Sequence, residues 1–400
     1  MKIAFSPPFI DESVEKEVLE SLRSGWITSG PKLKALEEEV ENYTGANSCV
    51  CVNSWTSGAI MMMKWFGIGE GDEVIVPAYT YSATALAVLH CGAKPILVDI
   101  GDDFVVNADH ISKAITVKTK AVIPVDIGGW PVDYDSILDV LHEKKFQFEA
   151  NNLRQKQLGR ILLISDAAHS FGATYKEKYC NSSDIIIYSF HAVKNLTTAE
   201  GGAIILNLPK PFDNKSLKPE IKRYSLNGQS KDALAKTQAG NWRYDILELG
   251  FKYNMPDVCA AIGLAQIRIY AKLLQERTRI FKKYYELFSK YEWAIFPPES
   301  DSIRTTSAHL YMLRIREITE HERDLMIQYI SEQGVSVNVH FIPMPMMSLF
   351  KDLGYNITDY PNTYKHYACE ISLPIYPQLT DDQVATVVQI VVESYKKVKE

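Results

Sequence analysis

The fold of this chain is indicated most clearly by the stretch Asp184-Ile-Ile-Ile-Tyr-Ser-Phe-His-Ala-Val-Lys194-Asn-Leu-Thr-Thr-Ala-Glu-Gly-Gly202. Its first six residues are typical of a buried strand that ends at Ser189, and Lys194 follows in a loop. A second apolar run ends in Ile164-Ser-Asp166-Ala-Ala-His169. Because parallel strands end at the same edge of a sheet, we expect an amine, a carboxylate, an imidazole and a hydroxyl to lie close together there.

Strand-like and helical segments alternate on both sides of this stretch. Helical patterns are predicted at 12–24, 33–43, 57–66, 82–91, 108–115 and 133–143, and a polar insertion at 144–158 interrupts the alternation. Strands are predicted at Ser48–Asn53, Glu73–Val76, Lys94–Val98, Ala121–Val125, Arg160–Ser165, Asp184–Ser189 and Ala203–Leu206. Nearly continuous apolar strands separated by helices predict an α/β fold with a mostly parallel sheet that is covered on both faces.

The last third of the sequence follows a different pattern. A long helix is predicted from Asp257 to Tyr291, followed by strand-like Leu310–Ile315, a helix near 319–333, strand-like Val335–Phe341 and a helix from Asp381. We therefore predict a large α/β domain over 1–256 and a linking helix with a smaller α+β domain over 257–400.

Composition restricts the class of protein. Of 400 residues, 46% are apolar and 23% charged, and the net charge is −6 without a long basic run. These values are typical of a soluble globular protein and argue against nucleic-acid binding. The six scattered cysteines contain one C-x-C pair and predict no metal site. No signal peptide or membrane span is recognisable, so a cytoplasmic protein is expected.

The residues at the strand ends suit pyridoxal phosphate. This cofactor needs a lysine for its aldehyde and an acid for its ring nitrogen, which Lys194 and Asp166 would supply. Taken singly, each residue has an ordinary alternative: Asp166 could cap a turn, His169 could be a packed core histidine, and Lys194 could be a surface lysine. The apolar strands and glycines around Lys194 argue against free solvation.

Three further positions suit the cofactor's phosphate and ring. The turn Asn53-Ser-Trp-Thr56-Ser57-Gly58 enters a helix whose N–H groups suit a phosphate, although such a turn is commonly only a helix cap. Ser189 is a second candidate phosphate ligand. Tyr81, after the strand Glu73–Val76, could lie flat on the pyridine ring or merely pack its loop.

Several motifs in order resemble the DegT/DnrJ/EryC1/StrS family of sugar aminotransferases over nearly the whole chain. They include Gly67-Ile-Gly-Glu-Gly-Asp-Glu-Val-Ile-Val-Pro77, Asp166-Ala-Ala-His-Ser-Phe-Gly-Ala173, the 189–202 stretch, Phe251-Lys-Tyr-Asn254-Met-Pro-Asp257 and Ser372-Leu-Pro-Ile-Tyr-Pro377. The resemblance implies a fold-type I pyridoxal phosphate enzyme, a homodimer with active sites at the subunit interface. Trp55, Asp126 and the 144–158 insertion depart from the family's usual pattern.

The resemblance also assigns roles to residues. It implies that Lys194 binds the cofactor aldehyde, Asp166 the ring nitrogen, and that His169 lies beside the cofactor. The stacking aromatic would be Tyr81, and the phosphate ligands would be Thr56, Ser57, Ser189 and, from the neighbouring subunit, Asn254. The nucleotide-sugar cleft would include Thr28, Ser29 and His340.

The resemblance implies transfer of an amino group from L-glutamate to a nucleotide-linked keto-sugar in surface polysaccharide or lipopolysaccharide biosynthesis, with enzymes that aminate C4 of UDP-sugars as the nearest type. Amination at C3 or of a cyclitol is the alternative, because the cofactor residues do not discriminate. A sugar dehydratase of this fold is less expected, since such relatives have His where this chain has Lys194. A non-catalytic cofactor-binding regulator is also less expected.

Overall fold

A computed structural model describes residues 2–179, 181–231 and 242–400. In this part of the chain the main sheet has seven strands, in the spatial order Cys49–Val52, Gly202–Leu206, Ile185–Ser189, Leu162–Asp166, Thr119–Val122, Glu73–Pro77 and Lys94–Val98. All neighbouring pairs are parallel except the two pairs made by Gly202–Leu206, which runs against both its neighbours. The predicted α/β fold with a mostly parallel sheet is confirmed.

Helices cover the sheet on both faces. They span Glu12–Arg23, Pro31–Thr44, Trp55–Phe66, Ala83–His90, Ala108–Ala114, Tyr134–Glu143, Leu153–Leu158 and Asn214–Tyr224. The strand Ile185–Ser189 shows why its sequence is apolar without alternation: Ile185 and Ile187 join the hydrophobic cluster on one face, and Ile186 and Tyr188 join the cluster on the other. A strand buried on both sides has no position for a polar side chain until it ends at Ser189.

The C-terminal part has a core of its own. The long helix Asp257–Phe288 packs against Glu12–Arg23, Pro31–Thr44 and the last helix, Asp381–Lys399. A three-stranded antiparallel sheet has the order Glu370–Leu373, Tyr311–Ile315 and Ala294–Ile295. Three more α-helices in the described part of the chain are Glu320–Glu332, Ser348–Asp352 and Pro361–Cys369, and Thr174–Tyr175 pairs with Arg304–Thr305. The division into domains 1–256 and 257–400 stays a prediction.

One predicted strand is wrong. Val335–Phe341 forms only two isolated bridges, Ile3 with Val335 and Asn338 with Ser372. The segment changes its pairing partner after a few residues, so no continuous ladder of hydrogen bonds forms, although its alternating valines match the strand pattern. The helices Asn214–Tyr224 and Pro361–Cys369 and the strand Glu370–Leu373 were not predicted.

The polar insertion 144–158 supports the helix Trp55–Phe66. The side chains of Asn152 and Gln155 both donate to the carbonyl of Phe66, at 3.0 and 3.1 Å, and Arg154 donates to the carbonyl of Trp65 at 2.7 Å. The last carbonyls of a helix have no partner inside the helix, so these side chains complete its C-terminal end. Within the described ranges, no helix combines the length and apolar character needed to cross a bilayer.

Candidate active site

Sheet topology brings the predicted acid and amine to one edge. Asp166 is the last residue of the strand Leu162–Asp166, whose neighbour in the sheet ends at Ser189. The loop after Ser189 returns Lys194 to the same edge, where its charge acts on the Asp166 carboxyl. The two strands are parallel neighbours, so their carboxyl ends lie at the same edge of the sheet, where ligands of such folds bind.

Asp166 is a buried carboxyl with two donors. Thr84 donates from Oγ1 to Oδ2 at 2.8 Å, and the Ala168 N–H donates to Oδ1 at 3.2 Å. Burial raises the pKa of Asp166 to about 7, and these two hydrogen bonds and the charge of Lys194 oppose the rise. Among the described residues, no cation lies within salt-bridge distance of this carboxylate. Its ionised form therefore lacks a close positive partner.

Lys194 is a half-buried amine. Burial lowers its pKa to about 8, while the neighbouring Asp166 carboxylate raises it. About a tenth of this amine is uncharged at pH 7, far more than for an ordinary lysine, and the uncharged form acts as a nucleophile and as a base.

His169 is buried beside these two groups. Its Nδ1 accepts a hydrogen bond from the Gly128 N–H at 3.1 Å. Burial and the charge of Lys194 lower the pKa of His169 well below its usual range, so the ring is neutral. Because Nδ1 accepts, Nε2 carries the ring proton and is a donor. The ring lies 4.4 Å from that of His309 and 5.9 Å from that of Phe341, centre to centre.

The small-residue turn begins the helix Trp55–Phe66. Ser54 is its N-cap and accepts from the Ser57 N–H at 3.0 Å. Gly202 pairs with Ser189 across the sheet, and a Cβ added to Gly202 would lie 2.9 Å from backbone atoms of Ser54 and Trp55. Only glycine allows the two backbones to approach so closely. The turn that contains Thr56 and Ser57 therefore lies next to the end of the strand Ile185–Ser189. The remaining N–H groups of the first helical turn are suited to an anion.

The other predicted site residues are less enclosed. Tyr81 is 61% exposed, and its ring lies 5.6 Å from that of Phe341. Asn254 donates from Nδ2 to Ser29 Oγ at 2.6 Å, and the neighbouring Tyr253 carbonyl accepts from the Asn53 N–H in the phosphate turn. Thr28 is exposed. The roles predicted for these residues stay predictions.

Several buried partners of the site were missed. Thr84 donates to Asp166. Asn195 accepts at Oδ1 from His309 Nδ1 at 2.9 Å and donates from Nδ2 to the Ser307 carbonyl. Asn195 follows Lys194 directly, which was a usable signal. Thr84 had no signal in the sequence, because it reaches Asp166 from a helix 82 positions away along the chain.

Asp126 is hydrogen-bonded to the end of the strand that contains Asp166. Its carboxylate accepts from Tyr134 and Ser170, both at 2.6 Å, and from the Val132 N–H at 2.9 Å. Its backbone N–H donates to the Asp166 carbonyl at 3.0 Å. Burial raises the pKa of Asp126 to about 6 against these hydrogen bonds. The residue noted as a departure from the family pattern therefore has a defined structural place.

Comparisons with known proteins agree on one family. The model of the DegT/DnrJ/EryC1/StrS aminotransferase family matches residues 8–392. Spr1654 of Streptococcus pneumoniae, assigned as a sugar aminotransferase, is 40% identical in its PMP form, with a TM-score of 0.95 over 99% of this chain and 100% of that chain. Its PLP form is 38% identical, also with a TM-score of 0.95 and with full coverage of both chains.

Two curated relatives have informative names. The spore coat polysaccharide biosynthesis protein SpsC of Bacillus subtilis is 35% identical over 97% of this chain and 96% of its own length. The UDP-4-amino-4-deoxy-L-arabinose–oxoglutarate aminotransferase of Shewanella sediminis is 32% identical over 96% of both chains.

Proposed function

We propose that this chain, which belongs to the DegT/DnrJ/EryC1/StrS aminotransferase family, moves the amino group of L-glutamate to C4 of a UDP-linked keto-sugar. It is a pyridoxal phosphate-dependent sugar aminotransferase. The names of the two curated relatives support a C4-aminating activity in surface polysaccharide biosynthesis. Amination at C3 or of a cyclitol is the alternative.

The assignment of the cofactor site depends mainly on Asp166. A buried carboxyl with two hydrogen-bond donors and no close cation among the described residues fits a protonated pyridine nitrogen, which supplies the missing positive charge. Thr84 and the Ala168 N–H hold its two oxygens in place. We assign the phosphate to Thr56, Ser57 and Ser189, because the turn and the strand end lie next to each other across Gly202.

Bound pyridoxal phosphate supplies an aldehyde that accepts the amino group and a ring that withdraws electrons from the reacting carbon. Lys194 would hold this aldehyde, and its amine, once free, would take a proton from the substrate Cα and return it, a role that suits a pKa of about 8. Asp166 would hold the ring nitrogen in its protonated form. His169, neutral and with its proton on Nε2, would donate a hydrogen bond to the cofactor.

We also propose that the enzyme is a homodimer with shared sites. Exposed apolar side chains lie on two segments close in sequence to Ser29 and Asn254; they are Ile27, Trp242, Ile246 and Leu249. Large apolar side chains that are this exposed beside site residues are expected to be covered in the assembled protein. We expect Leu249→Asp to give a monomer in light scattering and to reduce turnover, and an unchanged dimer would contradict this interface. We place the enzyme in the cytoplasm.

The sugar is tested by incubation with UDP-, GDP- and dTDP-linked 3-keto- and 4-keto-sugars and L-glutamate, followed by mass spectrometry. An aminated product from UDP-linked 4-keto-sugars, absent with Lys194→Ala, is expected. A product from 3-keto-sugars alone would establish the alternative. A deoxygenated product would indicate a dehydratase, and no product from any sugar would point to a cyclitol.

A further inference from the structure

Three polar side chains form a hydrogen-bonded chain that the proposed cofactor chemistry does not use. Glu370, which is fully buried, begins the strand Glu370–Leu373. Oγ of Ser372 is hydrogen-bonded to Oε1 of Glu370 and lies 2.8 Å from Nδ1 of His340. The backbone N–H of His340 donates to the other carboxyl oxygen, Oε2, at 3.0 Å. The chain therefore runs without a gap from the buried carboxyl to an imidazole.

The backbone fixes this geometry. Asn338 and Ser372 exchange two backbone hydrogen bonds, at 3.1 and 2.8 Å. This isolated bridge holds the segment before His340 against the strand that contains Ser372 and Glu370. The His340 ring is also stacked on Phe5, with 5.4 Å between ring centres. The imidazole therefore has little freedom to turn away from Ser372.

The imidazole lies at the candidate active site. The charge of Lys194 acts on the His340 ring, and the adjacent Phe341 ring lies 5.9 Å from that of His169. Within the described residues, Nε2 of His340 has no hydrogen-bond partner, so this nitrogen is available to a ligand.

We propose that Glu370 and Ser372 are positioning residues that set the tautomer of His340, and that His340 thereby presents a hydrogen-bond donor at Nε2 to an oxygen of the sugar substrate. The sugar part of this inference rests on the proposed function. The tautomer part depends only on the three side chains and their hydrogen bonds.

The chain of Glu370, Ser372 and His340 has two protonation states, which differ by one proton. When Glu370 is protonated, its O–H donates to Ser372, the Ser372 O–H donates to Nδ1, and the ring proton is on Nε2. When Glu370 is ionised, the Ser372 O–H turns to the carboxylate, and Nδ1 must carry the ring proton to donate to Ser372. The change passes one proton along the chain and releases one from Nε2 into the cleft, so the charge balances.

The surroundings favour the protonated carboxyl near neutral pH. Burial raises the pKa of Glu370 to about 8, opposed by its hydrogen bonds and by Arg323. Burial and the charge of Lys194 lower the pKa of His340 to about 3, so the ring stays neutral. The other titratable groups that face these two residues are Tyr79, Cys369, Arg314 on the paired strand, His169 and His309. Below the pKa of Glu370, Nε2 is therefore the donor.

The tautomer is tested in the holoenzyme labelled with ¹⁵N-histidine, with His340→Gln to assign the signals. In the wild type, the ring proton is expected on Nε2 at pH 6.5 and on Nδ1 at pH 9.5. Glu370→Gln should keep it on Nε2 throughout, because the amide oxygen accepts from the His340 N–H and the amide nitrogen can only donate to Ser372. Ser372→Ala, which removes the middle of the chain without a buried charge change, should uncouple the tautomer from pH.

Kinetics tests the contact with the sugar. At pH 9, one unit above a pKa of about 8, roughly a tenth of the wild type keeps the donor form, so kcat/KM for the keto-sugar should fall about tenfold from its value at pH 7. In Glu370→Gln this tenfold factor should be absent, whereas any change that Lys194 and Asp166 cause over the same pH range is common to both proteins. Equal pH profiles would overturn the sugar contact, and a tautomer that does not move between the two pH values would overturn the relay. The spectra need no sugar, so failure of the proposed substrate leaves that result intact.

Discussion

Replacement of Thr84 by valine tests how the site holds its acid. Among the described residues, Thr84 donates one of the two hydrogen bonds to the Asp166 carboxylate, at 2.8 Å, and valine has the same shape without the donor. A hydrogen bond to an ionised group contributes about 1.5–3 kcal/mol. Because only the ionised form loses this bond, the pKa of Asp166 should rise by about one to two units in the cofactor-free protein.

The change should also weaken cofactor binding. If the ring nitrogen pairs with ionised Asp166, the same 1.5–3 kcal/mol corresponds to a roughly 10- to 100-fold higher Kd for pyridoxal phosphate. Carboxyl ¹³C titration measures the pKa, and fluorescence titration measures the Kd. Thr119→Val, a buried threonine on the strand Thr119–Val122 that does not contact Asp166, is the control and should change neither. An unchanged pKa and Kd in Thr84→Val would refute this account of the site.

Three further predictions concern stability, each measured by urea denaturation of the cofactor-free protein. The pKa of Asp166 is raised from 3.8 to about 7 in the folded protein, so its contribution to stability is present at low pH and is lost as pH rises through 7. Asp166→Asn should therefore increase the free energy of unfolding by up to about 4 kcal/mol at pH 8 and change it little at pH 4. Gln155→Leu should cost about 1–3 kcal/mol, because the carbonyl of Phe66 and the N–H of Asn151 lose a partner; an unchanged midpoint would contradict the role of the insertion. Arg160→Ala should cost about 3–5 kcal/mol, because it leaves buried Asp184 without the two bonds of 2.7 Å, whereas a loss below 1 kcal/mol would show that water replaces them.

Local sequence patterns predicted most of the main sheet and its helices. Lys94–Val98 has the predicted bounds, and each of the other strands of the main sheet differs by one to three residues at one end or at both ends. These elements could be read from the sequence because burial on both faces demands continuous apolar runs. The strand predicted at Val335–Phe341 was wrong, because the backbone partners change within this segment. Local periodicity carries no information about strand pairing.

The chemical identity of the candidate site was determined by the sequence itself, because Lys194 and Asp166 follow strands that the apolar pattern reveals. Only the tertiary structure determined which side chains hold these site residues in place. Thr84, Glu370 and Ser372 meet their partners through helix packing and strand pairing. Hydrogen bonds between side chains far apart in sequence leave no periodic trace, and burial, which shifts the pKa values of these groups, exists only once the chain has folded.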